Sequence, residues 1–318
     1  MARPMALPRT GCLGKLFSLV LVLVLIVVVA YFVVGNLTPA QLGFGDFEIS
    51  EGKTVADYGL ADVKLKDLLS FVLSLSKDNK SEVVTNAPSE EDEKTTDETM
   101  EKILPKDLNG NLDYLKLAEG KVYTTRAMKY CFGDRQLAYA FNQLLQQAVE
   151  KGSFFSEDLK ALGEMGARIE EITVAKDETG YYLRTVASVA MTEDTKKQLS
   201  SIPFLNLKDR IYVTSYNRIS VNADGTLQTS PMSVSVNGQS EALSKVILDI
   251  AIGEQDGKPA DVYLNDTVGS AFADVLRNLG QIGTADADEN GYVTGNETIG
   301  EAGLKEHEIT VLTNTLLP

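Results

Sequence analysis

The 318-residue sequence predicts an α+β protein: one N-terminal transmembrane helix, then an extracytoplasmic domain with a curved antiparallel sheet packed by amphipathic helices. Three observations predict it. Nineteen consecutive residues, Leu16 to Val34, carry no charge. Runs of apolar–polar alternation, closed by turn-forming residues, fill much of 167–236. Apolar stripes at helical spacing stand between and after these runs, the mixture expected of helices laid on hairpins.

At about 1.5 Å per helical residue the uncharged run is roughly 28 Å long, close to the hydrocarbon thickness of a bilayer. In lipid its backbone groups must satisfy one another, which a helix achieves for a single segment. Arg3, Arg9 and Lys15 precede the run, and the first acid is Asp46. Basic flanks resist translocation, so 1–15 is expected to be cytoplasmic, 16–34 to cross the cell membrane, and the remainder to be extracellular. A cleaved leader usually has an apolar core of about 7–15 residues, so this longer run reads as an uncleaved signal-anchor. The chain carries −15 overall, and setting aside the +3 of residues 1–15 leaves −18. A body that acidic repels nucleic-acid phosphates, which removes nucleic acid from its partners. The lipid bilayer, met through 16–34, is the first partner expected.

Beyond the span, 36–76 reads as a membrane-proximal segment in which Leu65, Leu68, Leu69, Val72 and Leu75 share a helical face. Residues 77–102 hold nine acids and four lysines, with nothing apolar larger than Ala or Pro between Thr85 and Thr99. Such a stretch cannot offset its ordering entropy, so a disordered acidic linker is expected. The folded domain is then expected over 103–318. Lys121 to Tyr130 reads as a strand. Asp134 is placed to cap a helix striped by Leu137, Phe141, Leu144, Leu145 and Ala148. Two extended runs, 167–176 and 181–191, meet at Asp177–Gly180, and Tyr181, Leu183, Ala187, Val189 and Met191 alternate along the second.

A further hairpin follows, with Ile211, Val213, Ile219 and Val221 on one face, a turn at Asn222–Gly225, and a return over Leu227–Val236. Tyr212 and Tyr216 point to the opposite face. Ser240 opens a helix striped by Leu243, Val246, Ile247, Ile250 and Ala251. Another runs from about Thr267 to Leu279, and Ile309–Leu312 closes the fold as a strand. The two cysteines, Cys12 and Cys131, fall on opposite sides of the membrane and cannot pair. Cys131, between Tyr130 and Phe132, is expected to be a buried small hydrophobe.

The sequence holds no catalytic constellation, and no catalytic residue is assigned. Its single histidine, His307, sits between Glu306 and Glu308 and reads as a solvated surface residue. There is no G-x-S-x-G elbow, no phosphate-cradling glycine loop, no H-E-x-x-H and no cysteine cluster. A non-enzymatic protein without an organic cofactor is expected. One motif does carry chemistry, because Asp286, Asp288, Asn290, Gly291 and Glu297 fit D-x-[DN]-x-[DN]-G-x₅-E. Asp286, Asp288 and Asn290 would give side-chain oxygens to Ca²⁺, Tyr292 its carbonyl, Thr294 a hydroxyl or bridging water, and Glu297 a bidentate carboxylate. No exiting helix follows, so an acidic turn at Glu289–Gly291 joining two short strands is the competing reading. Four N-x-S/T sequons occur, at Asn36, Asn79, Asn265 and Asn296.

Three phrases carry a family likeness: Asn36–Gly45 (NLTPAQLGFG) after the span, Phe132–Leu137 (FGDRQL) at a helix start, and Met232–Gly238 (MSVSVNG) running into the helix at 243–252. In these the chain resembles the YpmS-like single-pass extracytoplasmic proteins of Gram-positive bacteria. The resemblance implies a module similar to tubular lipid-binding domains, in which a curved sheet wraps a helix beside an apolar groove. It therefore implies a lipid or other apolar ligand held at the cell envelope, with Tyr212, Tyr216 and Met232 as candidates to line the groove. The alternative is an envelope protein-interaction or assembly module, modulated by calcium at 286–297.

Overall fold

The computed structural model describes residues 37–50, 53–57, 59–74, 77, 79–117, 127–154, 156–190, 208–251, 254–255 and 257–314. The expected span at 16–34 lies outside them, and among the described residues no helix is long and apolar enough to cross a membrane. The described residues form an α+β fold with antiparallel sheets. Along the chain come β1 (Glu48–Ser50), β2 (Lys53–Thr54), α1 (Leu65–Ser74), α2 (Lys80–Val83), α3 (Glu90–Met100), β3 (Ala127–Gly133), α4 (Asp134–Lys151) and α5 (Glu157–Glu164). Then follow β4 (Ala167–Asp177), β5 (Gly180–Ala190), β6 (Arg210–Val221), β7 (Leu227–Val236), α6 (Glu241–Ala251), α7 (Ala260–Leu279), β8 (Gln281–Ala287), β9 (Val293–Ile299), β10 (Leu304–Lys305) and β11 (Glu308–Asn314).

The chain divides into two compact units, the described parts of 1–79, 190–211 and 234–263 in one, and of 80–189, 212–233 and 264–318 in the other. In the first unit α1 turns Leu65, Leu68 and Phe71 inward, and α6 buries Leu243, Ile247 and Leu248. A ten-residue helix is too short to hold itself together in water and needs such a partner surface. Polar bonds tie the distant segments together. The Asn237 amide donates to the Ser74 hydroxyl (3.3 Å), and Asn79 donates to the Ser74 carbonyl (2.6 Å). The sequon residue Asn79 is buried and serves the backbone.

The second unit holds the main core. One sheet has the order β4-β5-β6-β7. Its first hairpin turns at Asp177–Gly180, as the sequence predicts, with the Thr179 amide donating to Asp177 Oδ1 (2.8 Å) and Arg218 clamping the same carboxylate through two nitrogens (2.8 and 2.9 Å). Asn222 to Gly225 closes the second hairpin, and Gly225 adopts the φ of +81° that the turn demands. The other sheet has the order β10-β11-β8-β9, with β3 on the far side of β11. It curls back on itself, since the Lys129 amide donates to the Gly291 carbonyl (2.9 Å) and Met128 bridges to Tyr292. The apolar stripe predicted for α4 (Leu137, Phe141, Leu144, Leu145 and Ala148) is buried throughout. It meets Ile169, Ile172 and Val174 of β4 and Phe272 of α7, whose ring lies 6.1 Å from that of Phe141. Helix α7 begins well before the predicted Thr267, at Ala260, directly after Pro259.

The expected disordered linker at 77–102 is corrected. It carries α2 and α3, and α3 opens with a reciprocal cap in which Ser89 Oγ accepts from the Asp92 amide (3.3 Å) while Asp92 accepts from the Ser89 amide (2.9 Å). Composition misleads because the segment's partners lie elsewhere in the chain. A β-bulge between Ile169 and Glu171 puts two consecutive carboxylates where 80–86 can reach them. Glu171, 1% exposed, accepts from the amides of Thr85 (2.5 Å) and Asn86 (2.8 Å), from the Thr85 and Thr173 hydroxyls, and from Arg184. Arg184 in turn donates to the Val83 carbonyl (2.6 Å). Thr96 and Met100 of α3 are fully buried.

Glu170 takes Lys80 (3.0 Å) and the Ser188 hydroxyl (2.6 Å). Burial pushes its carboxyl up, but the bonds from Ser188 and Lys80 and the charges of Lys80 and Arg168 hold it below the ordinary glutamate value. A group whose folded pKa is depressed contributes stability that is complete above its unfolded pKa and is lost as pH falls through the folded one. Wild type is therefore expected to lose stability below about pH 4.5. Glu170→Gln should flatten part of that loss, checked by urea midpoints at neutral and acid pH. An identical acid limb in the variant would show that Glu170 is not linked to folding.

Two further expectations are corrected at the β3–α4 junction. Asp134 does not cap α4 but is its first residue, and its buried carboxylate accepts from the Val174 amide (2.8 Å) and pairs with His307 Nδ1 (2.7 Å). Cys131 is exposed, because strand alternation turns Met128, Tyr130 and Phe132 inward and leaves Cys131 beside the Thr310 hydroxyl (3.5 Å) on the other face.

Candidate functional site

The three residues suggested for an apolar groove lie on β6 and β7. Tyr212 is buried with Val83 and Val186. The Tyr216 ring lies 6.4 Å from that of Tyr182, and Met232 is exposed on β7. On the other face of the same sheet, α7 approaches so closely that a Cβ on Gly269 would meet Asn217 Oδ1 and Thr229 Oγ1, each at 2.9 Å. Asn265 accepts from the Ser215 hydroxyl and donates to the Ser233 carbonyl (3.0 Å), so this sequon residue also has a structural task.

The six calcium-motif residues lie along the β8–β9 hairpin. Asp286 pairs with Gly295, and Ala287 with Val293. The Asp288 carboxylate accepts from the amides of Asn290 and Tyr292, both at 3.0 Å, and Gly291 takes φ of +86°. Asp286 accepts from the Asn296 side chain, while Thr294 and Glu297 face outward. Tyr292 packs against the core. This is the turn geometry of the competing reading, and among the described residues no three acidic, histidine or cysteine side chains converge to hold a metal ion.

What the second unit does present is a polar cleft of about 450 Å³. One wall is α3, the floor is the polar side of α4, and the other wall is the turn that follows α3. Helical periodicity places Tyr139, Gln143, Gln146 and Glu150 in a row, on the side of α4 away from its apolar stripe. Asp97 projects from α3, and its two carboxylate oxygens accept from the hydroxyls of Tyr114 (3.2 Å) and Tyr139 (3.1 Å). Burial, and then the charge of Asp97, push both phenols well above the ordinary tyrosine value, so both stay protonated and donate. Gln147 fastens the turn by accepting from the Tyr114 amide (3.0 Å) and donating to the Leu112 carbonyl (2.8 Å). Lys106 pairs with Glu101 (2.9 Å) at the rim, and Lys151 with Asp113 (3.1 Å). The Gln143 carboxamide, half-buried in the cleft, has no protein partner among the described residues. Volume and polar lining suit a ligand fixed by hydrogen bonds.

None of these residues was among the sequence candidates. The one local signal is the polar row on α4, visible as the complement of its apolar stripe; Asp97 and Tyr114 arrive from segments too far away to be placed by spacing.

A second polar constellation, His307 with Asp134, orients an imidazole through its Nδ1, and the turn residue His307 takes φ of +65°. Its other ring nitrogen has no hydrogen-bond partner among the described residues, so no nucleophile is held against it. The chain matches no family model, no curated protein and no solved structure.

Proposed function

We propose that this is a single-pass, non-catalytic protein of the cell membrane, anchored by 16–34 with its N-terminus cytoplasmic, whose extracellular body binds a partner protein through the polar cleft. The observation that carries this reading is an open, polar-walled cleft beside closely packed elements. Phe141 and Phe272 close the core, α7 sits hard against β6 and β7 at Gly269, and the cleft offers carboxylate, carboxamide and phenol groups. An apolar ligand needs the opposite, an unfilled apolar space. The uncharged run and its basic flank support the anchor and its orientation.

A photo-reactive residue replacing Gln143, in protein expressed in its own membrane, is expected to cross-link a specific envelope protein. The same residue at the exposed position Glu157, on α5, is the control. Lipid recovered in stoichiometric amount with the purified chain, and no protein cross-link, would replace this reading with lipid carriage. A C-terminal reporter retained in the cytoplasm would overturn the topology.

A further inference from the structure

Resting on the reading of the cleft as a partner contact, we infer that it recognises a cationic nitrogen, an ammonium or guanidinium, carried on a partner segment that also presents an apolar residue. Charge supplies the first part. The lining holds four carboxylates (Asp97, Glu101, Asp107 and Glu150) and two lysines, a net of −2. The lysines are engaged at the rim, Lys106 with Glu101 and Lys151 with Asp113. Asp97 has no cation within ion-pair distance among the described residues; only two neutral phenols stabilise it. Those phenols hold the carboxylate rigidly in place and leave its charge uncompensated. Beside it, the free Gln143 carboxamide offers a second acceptor oxygen to an N–H donor. The lining supplies no three-ligand cluster for a metal ion, so the cation it suits is organic.

The apolar part comes from the wall. In the turn at 107–111, the Asp107 carboxylate accepts from the amides of Asn109 (2.8 Å) and Asn111 (3.0 Å), the Asp107 amide donates to the Asn111 carbonyl (2.7 Å), and the Gly110 amide donates to the Asp107 carbonyl (3.0 Å). This pinned turn holds Leu108 fully exposed. A lone exposed leucine is ordinary. One fixed beside a cleft whose Asp97 carboxylate is held by neutral phenols makes a two-point contact, which a protein segment can meet and a small polyamine cannot.

The test uses the full chain in phosphatidylcholine nanodiscs, whose neutral surface does not attract basic probes. Fluorescein-labelled peptides GSLSKSG and GSLSRSG are expected to bind at least about tenfold more tightly than GSLSQSG, as a charge-assisted hydrogen bond implies. Asp97→Asn should remove that difference. Gln143→Ala, which breaks no internal bond, should weaken the basic peptides severalfold and keep the assignment testable if Asp97→Asn unfolds. Leu108→Ser should weaken the peptides and leave spermidine unaffected. Equal binding of GSLSQSG, or full retention in both cleft variants, overturns the cationic assignment. Spermidine binding tighter than either peptide, indifferent to Leu108, overturns the protein source. If every cationic probe fails while Gln143 still cross-links a protein, this inference falls and the partner-binding reading stands; if both fail, the reading falls with it.

Discussion

Glu171→Ala is expected to destabilise the second unit by about 3–5 kcal/mol, the range seen when one member of a buried ion pair is removed. Glu171 is 1% exposed, and Arg184 opposite it keeps only a fifth of its side chain in solvent. Truncation strands that guanidinium and simultaneously deprives the Thr85 and Asn86 amides of their acceptor. The loss should be local before it is global, so amide exchange at Thr85 and Asn86 is expected to accelerate ahead of exchange in β5. Glu171→Gln keeps the volume and one carbonyl acceptor and should cost less. Exchanging both partners, Glu171→Leu with Arg184→Met, should recover part of the deficit, because paired apolar replacements carry no stranded charge. Chemical denaturation followed by exchange on the same samples measures both quantities. Unchanged protection of 85–86 in Glu171→Ala would mean that this segment is held by something other than the bulge carboxylates.

This dependence also explains why 77–102 misread as a tether. The sequence test for disorder asks whether a stretch can bury enough of its own apolar surface. Here Met100 contributes some, while Glu171, Arg184 and Arg135, the last donating to Asn86 (2.6 Å), supply the rest across 49 or more residues of sequence. Elements whose stability is local were legible. The α4 stripe, the Asp177–Gly180 turn and the Asn222–Gly225 turn all sit where periodicity and turn chemistry put them. The calcium motif shows the limit of spacing alone. The same acids and glycine fit a metal loop or a hairpin turn, and spacing cannot show that Lys129 of β3, far away in sequence, donates its amide to the Gly291 carbonyl. The cleft is illegible for a similar reason. Its carboxylate and two phenols come from α3, the following turn and α4, and no one-dimensional period links them.

The second large effect is expected from Gly303→Ala. Gly303 ends the short helical turn at Glu301–Gly303, and a Cβ there would lie 2.5 Å from the Gly283 nitrogen, 2.8 Å from its oxygen and 2.9 Å from its Cα. All three atoms are backbone, in the β8 strand that pairs with both β9 and β11, so no side chain can rotate away. Gly283 cannot retreat either, since its own missing Cβ faces the Thr298 carbonyl at 2.6 Å. A methyl on Gly303 therefore presses on β8, whose Gly283 is itself packed against Thr298 and Ile299 of β9. A loss of about 3 kcal/mol, the upper end for overpacking, is expected. Gly295→Ala supplies the comparison, for its Cβ would meet nothing within 4 Å, and its effect should stay within about 0.5 kcal/mol. Thermal unfolding of the two variants separates the causes. If the cost came from chain entropy or strand propensity, both substitutions would shift the midpoint alike, whereas contact between backbones predicts a drop in Gly303→Ala alone. Because Gly283 lies in β8 and the cleft is built on α3, α4 and the turn after α3, peptide binding at low temperature should survive in Gly303→Ala, which makes the variant a control for folding in the cleft experiments.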